Sequence, residues 1–345
     1  MDARKALRRV GLANRDGLRP RPLVQWGALI LTLALGIRFA LFVNQFRSGM
    51  PPAVTQSRPA GVEAFLPIGG LVALKAWLTT GWWDTVHPAA LALLLTFLAV
   101  ALFLRRGFCS WLCPIGTVSE ALGRLGRWLF GFNLKPPAWL DRLLMVPKYL
   151  LLLFFLQAVW LGMPGPIARQ FLQSAYYQAS DVKMLQFFLA PSLLTVQVLV
   201  LLAVLSLLVE NFWCRYLCPY GALLGLVGWL SPVAVTRRPS ACTDCRLCDR
   251  VCPARIQVSR ARTVLSPECN ACLNCIEACP ARARGALELR LTGAPRAIRP
   301  WGYTTVLVGL VLLAVTVARI TGRWDSTLTA RDYARLVPAI EDIQH

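Results

Sequence analysis

The sequence predicts a mainly α-helical, polytopic membrane protein, in which a bundle of about five spans in two pseudo-repeated halves carries a small cytoplasmic α+β domain. Three observations lead to this prediction. The chain of 345 residues is 56% hydrophobic and only 16% charged, which is too apolar for an ordinary soluble domain of this size. Several stretches approach or reach the roughly 20 apolar residues that cross a bilayer. All twelve cysteines lie in four short runs, each closing with Cys-Pro.

The apolar stretches are predicted to be membrane spans at residues 22–43, 87–104, 143–163, 184–209 and 300–318. The shorter second and fifth stretches could instead be buried core helices, but the arginines that flank both suit anchors that snorkel to the interface. A further apolar segment, residues 61–78, is short and is interrupted by Pro67, Gly69 and Gly70. It is predicted to be interfacial or re-entrant, or else a packed periplasmic loop.

The distribution of Lys and Arg predicts the orientation. Seven precede the first span, six lie in residues 105–142 and thirteen in residues 215–299, whereas the other loops together hold nine. The positive-inside rule therefore places the N-terminus and all four cysteine runs in the cytoplasm, and it accounts for the net charge of +20 without a nucleic-acid partner. An odd number of spans then makes the C-terminal tail periplasmic. The expected location is the bacterial inner membrane.

These elements divide the chain into five predicted parts. They are a basic cytoplasmic N-terminus (1–21), a membrane domain with the first four spans (22–230), a cluster-binding domain (231–299), the fifth span (300–318) and a periplasmic tail (319–345).

Two cysteine runs have the same spacing. Residues 242–253 read CTDCRLCDRVCP and residues 269–280 read CNACLNCIEACP, so C-x2-C-x2-C-x3-C-P occurs twice. This is the run of bacterial two-cluster ferredoxins, in which three thiolates hold one [4Fe-4S] cluster and the fourth reaches the other cluster. A zinc ribbon would leave the extra cysteines unexplained. Two clusters are therefore predicted, the first held by Cys242, Cys245, Cys248 and Cys279, and the second by Cys269, Cys272, Cys275 and Cys252.

No nucleophile, acid-base pair or phosphate-binding loop accompanies these clusters, so the domain is predicted to conduct electrons rather than to make or break bonds.

The remaining cysteines form two C-x3-C-P motifs. FCSWLCPIG (residues 108–116, the first motif) and WCRYLCPYG (residues 213–221, the second motif) each follow an even-numbered span. Two spans per repeat give parallel topology, so a pseudo-two-fold axis would bring the motifs together. The four thiolates could then hold an additional iron, iron-sulfur, copper or zinc centre, or serve as redox-active or packing thiols. This candidate metal site consists of Cys109, Cys113, Cys214 and Cys218.

Apolar residues recur at helical spacing after the first motif, opposite charged ones, and predict an interfacial amphipathic helix.

Together these motifs resemble the family of membrane ferredoxin-type proteins that includes NapH, NosR and CcoG. The resemblance covers most of the chain and extends to GVEAFLPIGG (61–70), SAYYQASDVKML (174–185) and NFWCRYLCPYGALLG (211–225). For NapH-like members the resemblance implies quinol oxidation, with electrons passed through the clusters toward a periplasmic reductase pathway. For CcoG-like members it implies copper handling during oxidase assembly.

Three ionisable residues are candidates for handling quinol or its protons. Asp84 and His87 lie at the predicted periplasmic mouth of the second span, where histidine can titrate near neutral pH. They could instead cap the helix and anchor it at the interface. Arg38 lies within the first span, where a charge costs about 2.5–3.5 kcal/mol on insertion scales, unless it snorkels outward.

The sequence thus predicts a membrane-bound iron-sulfur electron-transfer protein. It would be a redox subunit of quinol-dehydrogenase type, not a stand-alone catalyst, and would pass electrons between the quinol pool and a partner reductase or oxidase pathway. The alternative is an accessory factor for metalloenzyme maturation that reduces copper or another metal, and a third reading is a structural anchor. The predicted partners are the lipid bilayer, quinone or quinol, and redox proteins, with no nucleic acid.

Overall fold

The computed structural model describes residues 13–14, 17–47, 57–294 and 296–343. Most of the predicted N-terminal part, 1–21, and the last two residues of the predicted tail lie outside the described residues. Contacts divide the chain into two compact units. The first, which we call the cysteine unit because it holds all twelve cysteines, comprises Met1–Leu29, Phe97–Tyr149 and Leu202–Val311. The second, the tail unit, comprises Ile30–Thr96, Leu150–Leu201 and Leu312–His345.

The fold is mainly helical, as predicted. The helices up to the end of the membrane part are α1 (Pro20–Asn44), α2 (Pro67–Thr80), α3 (Pro88–Leu104), α4 (Gly107–Trp111), α5 (Pro114–Phe130), α6 (Ala138–Trp160), α7 (Gly165–Leu172), α8 (Ala175–Gln178), α9 (Ser180–Leu189), α10 (Leu193–Leu208) and α11 (Pro219–Trp229). The later helices are α12 (Leu247–Arg250), α13 (Asn274–Glu277), α14 (Pro300–Ile320) and α15 (Ala330–Leu336). The strands are β1 (Ala13–Asn14), β2 (Gly17–Leu18), β3 (Val233–Arg237), β4 (Leu287–Leu291) and β5 (Ala297–Ile298).

Helices α1, α6 and α14 are long and apolar enough to cross a membrane, and they correspond to the first, third and fifth predicted spans. The predicted span 184–209 is not one straight helix, because α9 and α10 meet at a bend of 72°. Pro191 lies at the break, where it disfavours helical geometry for Ala190, which has φ −133° and ψ 61°.

Helix α3, the second predicted span, has only 17 residues and is about 25 Å long, shorter than the roughly 30 Å hydrocarbon core. Most of its side chains are buried, as expected of a core helix. By length and composition the structure offers three spans among its described residues, or four if the bent pair crosses as one. The count of five stays a prediction.

The segment 61–78 contains a 3-10 turn, Ala60–Phe65, followed by the regular helix α2. The segment is thus broken just before Pro67, whereas Gly69 and Gly70 lie within the helix, and its interfacial or re-entrant placement stays a prediction. Pro67 stands at the first turn of α2, where its missing N–H leaves no bond unmade. Gly70 lies against the Ala90 carbonyl oxygen, 2.9 Å from where a Cβ would be, so the glycine permits a close approach of α3.

The described part of the predicted tail, 319–345, is folded into the tail unit. Helix α15 begins with a capping box between Thr329 and Asp332. Its Tyr333 is buried and packs edge-on against Phe42 of α1. The hydroxyl of Ser326 donates to the Val86 carbonyl oxygen at 2.6 Å, which fixes the chain ahead of α15.

The ferredoxin-type segment contains a three-stranded antiparallel sheet in the order β3-β4-β5. Val235 pairs with Leu289, and Leu289 pairs with Ile298. In β4 buried side chains alternate with partly exposed ones, and its Leu287 and Leu289 form one core with Val235 of β3, Trp111 and Tyr303.

Glycines also allow close packing of the helices that follow the two C-x3-C-P motifs. In α5, Gly123 and Gly126 lie against Glu210 and the Leu207 carbonyl, so the helix touches the chain that leads into the second motif. In α11, a Cβ on Gly228 would lie 3.1 Å from the Arg106 amide nitrogen, so this helix touches the chain that leads into the first motif. The packing is reciprocal, as expected of a pseudo-two-fold repeat.

Replacing Gly126 by alanine tests this packing, because the added methyl group would overlap the Leu207 backbone carbonyl. We expect a loss of about 1–3 kcal/mol from overpacking. Thermal unfolding of the anaerobically purified protein in detergent measures it. Gly309→Ala in α14, where a Cβ meets nothing within 4 Å, is the matched control and should leave the midpoint unchanged or slightly raised. Equal midpoints for the two variants would contradict the close contact.

Candidate iron-sulfur site

Each C-x3-C-P motif begins where a helix is broken. Arg105, just after α3, and Asn211, just after α10, have left-handed backbones with φ of 56° and 60°. A short turn then follows, which is α4 in the first motif and a π-helical turn, Trp213–Leu217, in the second. Cys113 and Cys218 are extended and cap α5 and α11, with proline at the first helical position in both. The last cysteine of each motif is therefore held at a helix N-terminus.

The structure brings the four motif thiols together. Burial, together with negative charge on Cys109 and Cys218, raises the pKa of Cys113 to about 12. Burial and the charges of Cys113, Cys218 and Cys109 likewise raise the pKa of Cys214 well above its ordinary value. Cys109 and Cys214 also line one cavity in the cysteine unit. Four thiols within electrostatic range of one another are a soft donor set that fits an iron-sulfur centre.

Among the described residues, no group of three or more His, Cys, Asp or Glu side chains is placed so that it could hold a metal ion. The thiolates of a [4Fe-4S] cluster each bind a different iron corner, so they lie farther apart than the ligands of a single ion.

In the ferredoxin-type segment each fourth cysteine lies beside the other run. Cys252 lines a cavity with Cys269, Cys272 and Cys275 of the second run. Conversely, burial and the charges of Cys245 and Cys242 raise the pKa of Cys279. This is the arrangement that the two predicted ligand sets require.

The backbone of both runs is shaped for an anionic group. Asp244 and Arg246 in the first run, and Ala271 and Leu273 in the second, have positive φ values of 48°, 55°, 49° and 62°. They occupy the same positions, on either side of the second cysteine of each run, Cys245 or Cys272. Alternation of right- and left-handed residues turns successive N–H groups inward to form a concave nest, a backbone arrangement found at many iron-sulfur sites. Left-handed geometry is unfavourable for non-glycine residues, so its repetition points to a bound group.

The first motif is hydrogen-bonded to the second run. The Ser110 hydroxyl donates to the Asn270 carbonyl oxygen at 2.5 Å, and the Trp111 indole N–H donates to the Ala271 carbonyl oxygen at 3.0 Å. Arg21 of α1 spans the same junction, donating to the Ser110 carbonyl oxygen at 3.1 Å and to Asn274 Oδ1 at 2.8 Å. The first motif and the second run therefore pack together as one body.

Glu268, directly before Cys269, is at the centre of a buried charge network. Lys148 Nζ lies 2.6 and 2.7 Å from its two carboxylate oxygens, Tyr149 Oη donates at 2.8 Å and Arg106 Nη1 donates at 3.3 Å. Although burial opposes it, the positive charges of Arg106 and Lys148 lower the pKa of Glu268. Glu268 is therefore a carboxylate that joins the membrane helix α6 to the second run.

Arg105 and Arg106 correct the sequence analysis. Arginines flanking the second span were predicted to snorkel to the interface, but these two side chains are only 1% and 6% exposed. Arg105 Nε donates to the Val233 carbonyl oxygen at 2.6 Å, so it binds the ferredoxin-type segment instead. Their position three and four residues before Cys109 was the signal that could have marked these two arginines.

In the tail unit the structure buries Asp84 and His87 together. His87 Nε2 lies 2.9 Å from the Tyr177 carbonyl oxygen, and Tyr177 Oη donates to Asp84 Oδ2 at 2.6 Å. Burial raises the pKa of Asp84, even though Tyr177 and the Val86 amide donate to it. Arg38 is instead exposed on α1, so the structure does not bring it together with the other two candidates.

Arg58 links His87 to two acids that sequence reasoning did not single out. Its guanidinium donates to Glu63 Oε1 at 2.7 Å and to Asp181 Oδ2 at 2.9 Å, and its Nη2 lies 3.1 Å from His87 Nδ1. Tyr333 of α15 donates to Asp181 at 2.8 Å. We call these five residues the tail-unit network. Glu63 and Asp181 are isolated acids within segments 61–70 and 174–185, which resemble the family. That position was the signal that could have marked them as functional residues.

Comparisons with known proteins agree with this geometry. The family described as a 4Fe-4S binding domain matches residues 86–133 and 189–238, which contain the two C-x3-C-P motifs. The family described as a 4Fe-4S dicluster domain matches residues 234–280. YccM of Escherichia coli (strain K12), whose name assigns it provisionally to electron transport, is 38% identical over 96% of this chain and 93% of its own length. The chain belongs to this membrane ferredoxin-type 4Fe-4S family.

Two further relatives cover part of this ferredoxin-type protein. The ferredoxin-type protein NapH of Escherichia coli (strain K12) is 31% identical over 48% of the chain and 55% of its own length. The regulatory protein NosR of Pseudomonas aeruginosa is 33% identical over 47% of the chain and 22% of its own length. The predicted resemblance to the NapH and NosR family is thus confirmed. No solved structure matches the chain.

The crossed ligand sets are tested by combining substitutions. Cys279→Ala should remove about four irons per chain. Adding Cys242→Ala should remove no more, because both residues belong to the same set. Adding Cys269→Ala instead should remove about four more, because Cys269 belongs to the other set. Iron analysis of the anaerobically purified variants measures this, and the reverse pattern of losses would contradict the crossing.

Proposed function

We propose that this protein is a membrane-bound electron-transfer subunit that connects the quinol pool to a redox partner protein. The observation that carries the proposal is the hydrogen-bonded junction between the first motif and the second run, in a unit that holds all twelve cysteines. When bound by these cysteines, [4Fe-4S] clusters supply one-electron transfer. Cys245 of the first run is exposed, whereas the motif cysteines are half-buried, so the first run is the side that meets a soluble partner.

The third cysteine set, in this proposal, holds a [4Fe-4S] cluster through Cys109, Cys113, Cys214 and Cys218. The family match over both motifs supports this choice among the metal centres considered, as does the soft four-thiol donor set. The first and second runs would hold two further clusters in the crossed sets.

The protein is proposed to lie in the bacterial inner membrane with its cysteine loops in the cytoplasm and its C-terminal tail in the periplasm. The support is the excess of Lys and Arg in the cysteine-bearing loops. The three long apolar helices support the membrane location itself.

Quinol oxidation releases two protons with two electrons, and His87 is proposed to accept one of the protons at Nδ1. Its Nε2 faces the Tyr177 carbonyl, which can only accept, so Nε2 carries the hydrogen of the neutral ring. Nδ1 then accepts from Arg58 at 3.1 Å, while Glu63 Oε1 lies 3.4 Å away. A proton on Nδ1 would exchange the Arg58 contact for an ion pair with Glu63. Asp84, which is buried as Glu63 and Asp181 are, is proposed to accept the other proton.

Reduction by quinol tests the proposed donor. The anaerobically purified protein, reconstituted in lipid nanodiscs, should show loss of visible absorbance and a new EPR signal on addition of a menaquinol or ubiquinol analogue. Dithionite reduction of the same sample is the positive control. Reduction by dithionite but by neither quinol class would contradict a quinol donor.

His87→Gln should slow quinol-driven reduction by at least about 100-fold, since a positioned acid or base contributes roughly that much. Iron content and reduction by dithionite should stay unchanged. Arg169→Gln is the control, because Arg169 stacks on Trp82 in the same unit, outside the tail-unit network. Equal quinol-driven rates in the two variants would remove His87 from the proton pathway.

A further inference from the structure

The guanidinium of Arg106 is buried beside the motif cysteines, and one of its three nitrogens has no hydrogen-bond partner among the described residues. Its Nη1 donates to Glu268 Oε2 at 3.3 Å and its Nη2 to the Cys214 carbonyl oxygen at 3.3 Å. Its Nε is buried and has no hydrogen-bond partner among the described residues. The side chain shares a cavity with Cys109 and Cys214. An unpaired buried N–H costs about 1–3 kcal/mol, so a partner is expected at this position.

The helix after the second motif is shaped around this side chain. Gly221, Gly225 and Gly228 follow one face of α11, and a Cβ on them would lie 3.1 Å from Arg106 Nη2, 3.6 Å from Arg106 Cδ and 3.1 Å from the Arg106 backbone nitrogen, respectively. Gly221 is part of the C-x3-C-P motif itself. A larger residue at Gly221 would push the guanidinium away, so this glycine helps to set its position.

The charge of Arg106 is only partly neutralised by protein groups. Glu268, its one acidic partner, is held more closely by Lys148, at 2.6 and 2.7 Å against 3.3 Å for Arg106. The other arginines on the cavity have their own acids, since Arg21 pairs with Glu120, and Arg215 pairs with Asp141. The cavity therefore carries surplus positive charge beside Cys109 and Cys214, the two motif cysteines that line it.

We infer that Arg106 donates its Nε–H to a sulfur of the group bound by the four motif cysteines, and that its charge favours the reduced form of that group. The inference rests on the proposed third cluster. Four thiolates make the bound group anionic, and uptake of one electron adds one negative charge, so a fixed cation nearby stabilises the reduced state. Hydrogen bonds to sulfur and net charge are among the factors that set cluster potentials. Arg106 is thus a positioning residue for this centre.

The test is a redox titration followed by EPR on the anaerobically purified protein and on Arg106→Gln and Arg106→Lys. Arg106→Gln should shift the midpoint potential of one centre to more negative values and leave the two ferredoxin-type centres in place. Arg106→Lys keeps the charge but loses the directed N–H, so its shift should be smaller. Arg127→Gln, which removes an ion pair with Glu210, is the matched control and should shift no potential.

Iron content separates the two ways in which this test can fail. About 12 irons per wild-type chain with no shift in Arg106→Gln would overturn the role of Arg106 and leave the proposed third cluster standing. About eight irons per wild-type chain would overturn the third cluster and the role of Arg106 with it.

If the Arg106 variants lose iron, the contact of Arg106 with the third centre can still be tested in the wild-type protein. In protein grown on ¹⁵N-arginine and then reduced, pulsed EPR should detect a ¹⁵N nucleus coupled to the third centre. No coupling at that centre would overturn the inference.

Discussion

The close approach between each post-motif helix and the chain that leads into the other motif is the contact on which the cysteine unit depends. Gly126 in α5 and Gly228 in α11 let backbone meet backbone where any side chain would intervene. Because each helix is capped by the last cysteine of its own motif, this packing also fixes two of the four motif thiols. The hydrogen bonds of Ser110 and Trp111 then attach the Cys269 loop to the same framework.

Buried charge is the second constraint, and both units meet it by pairing. A buried charge is costly unless it is paired and hydrogen-bonded, and removing one partner costs several kcal/mol. In the cysteine unit the carboxylate of Glu268 has three donors from two segments, Lys148 and Tyr149 of α6 and Arg106 before the first motif. In the tail unit Arg58 lies between Glu63 and Asp181. These networks hold together segments that are far apart in sequence.

Local sequence signals predicted the helical fold class, the long apolar helices and the role of the cysteine runs as cluster ligands. Ligand spacing is a property of a few consecutive residues, so the ferredoxin pattern could be recognised without knowledge of the fold. The repeat of the C-x3-C-P motif predicted that the motifs meet, because parallel repeats imply a two-fold relation. The glycines that allow the two motifs to pack closely were not recognised, because glycine also occurs in turns, helix ends and loops.

The misses share one cause, which is dependence on distant partners. Arg105 and Arg106 look like interface anchors until the ferredoxin-type segment buries them. Helix α15 was not predicted within the tail, and it is held in the tail unit by Tyr333, which donates to Asp181. Likewise, the bend at Pro191 divides a stretch whose composition alone reads as one span.

The proposed third cluster requires that Cys109, Cys113, Cys214 and Cys218 form one site beside the two ferredoxin-type sites. Iron and acid-labile sulfide analysis of the anaerobically purified wild-type protein and of the Cys109→Ala/Cys214→Ala variant measures this. We expect about 12 of each per wild-type chain and about eight per variant chain. A wild-type value of about eight that the double substitution leaves unchanged would contradict it, and copper that is bound by the wild type and lost in the variant would instead favour a role in metal-centre maturation.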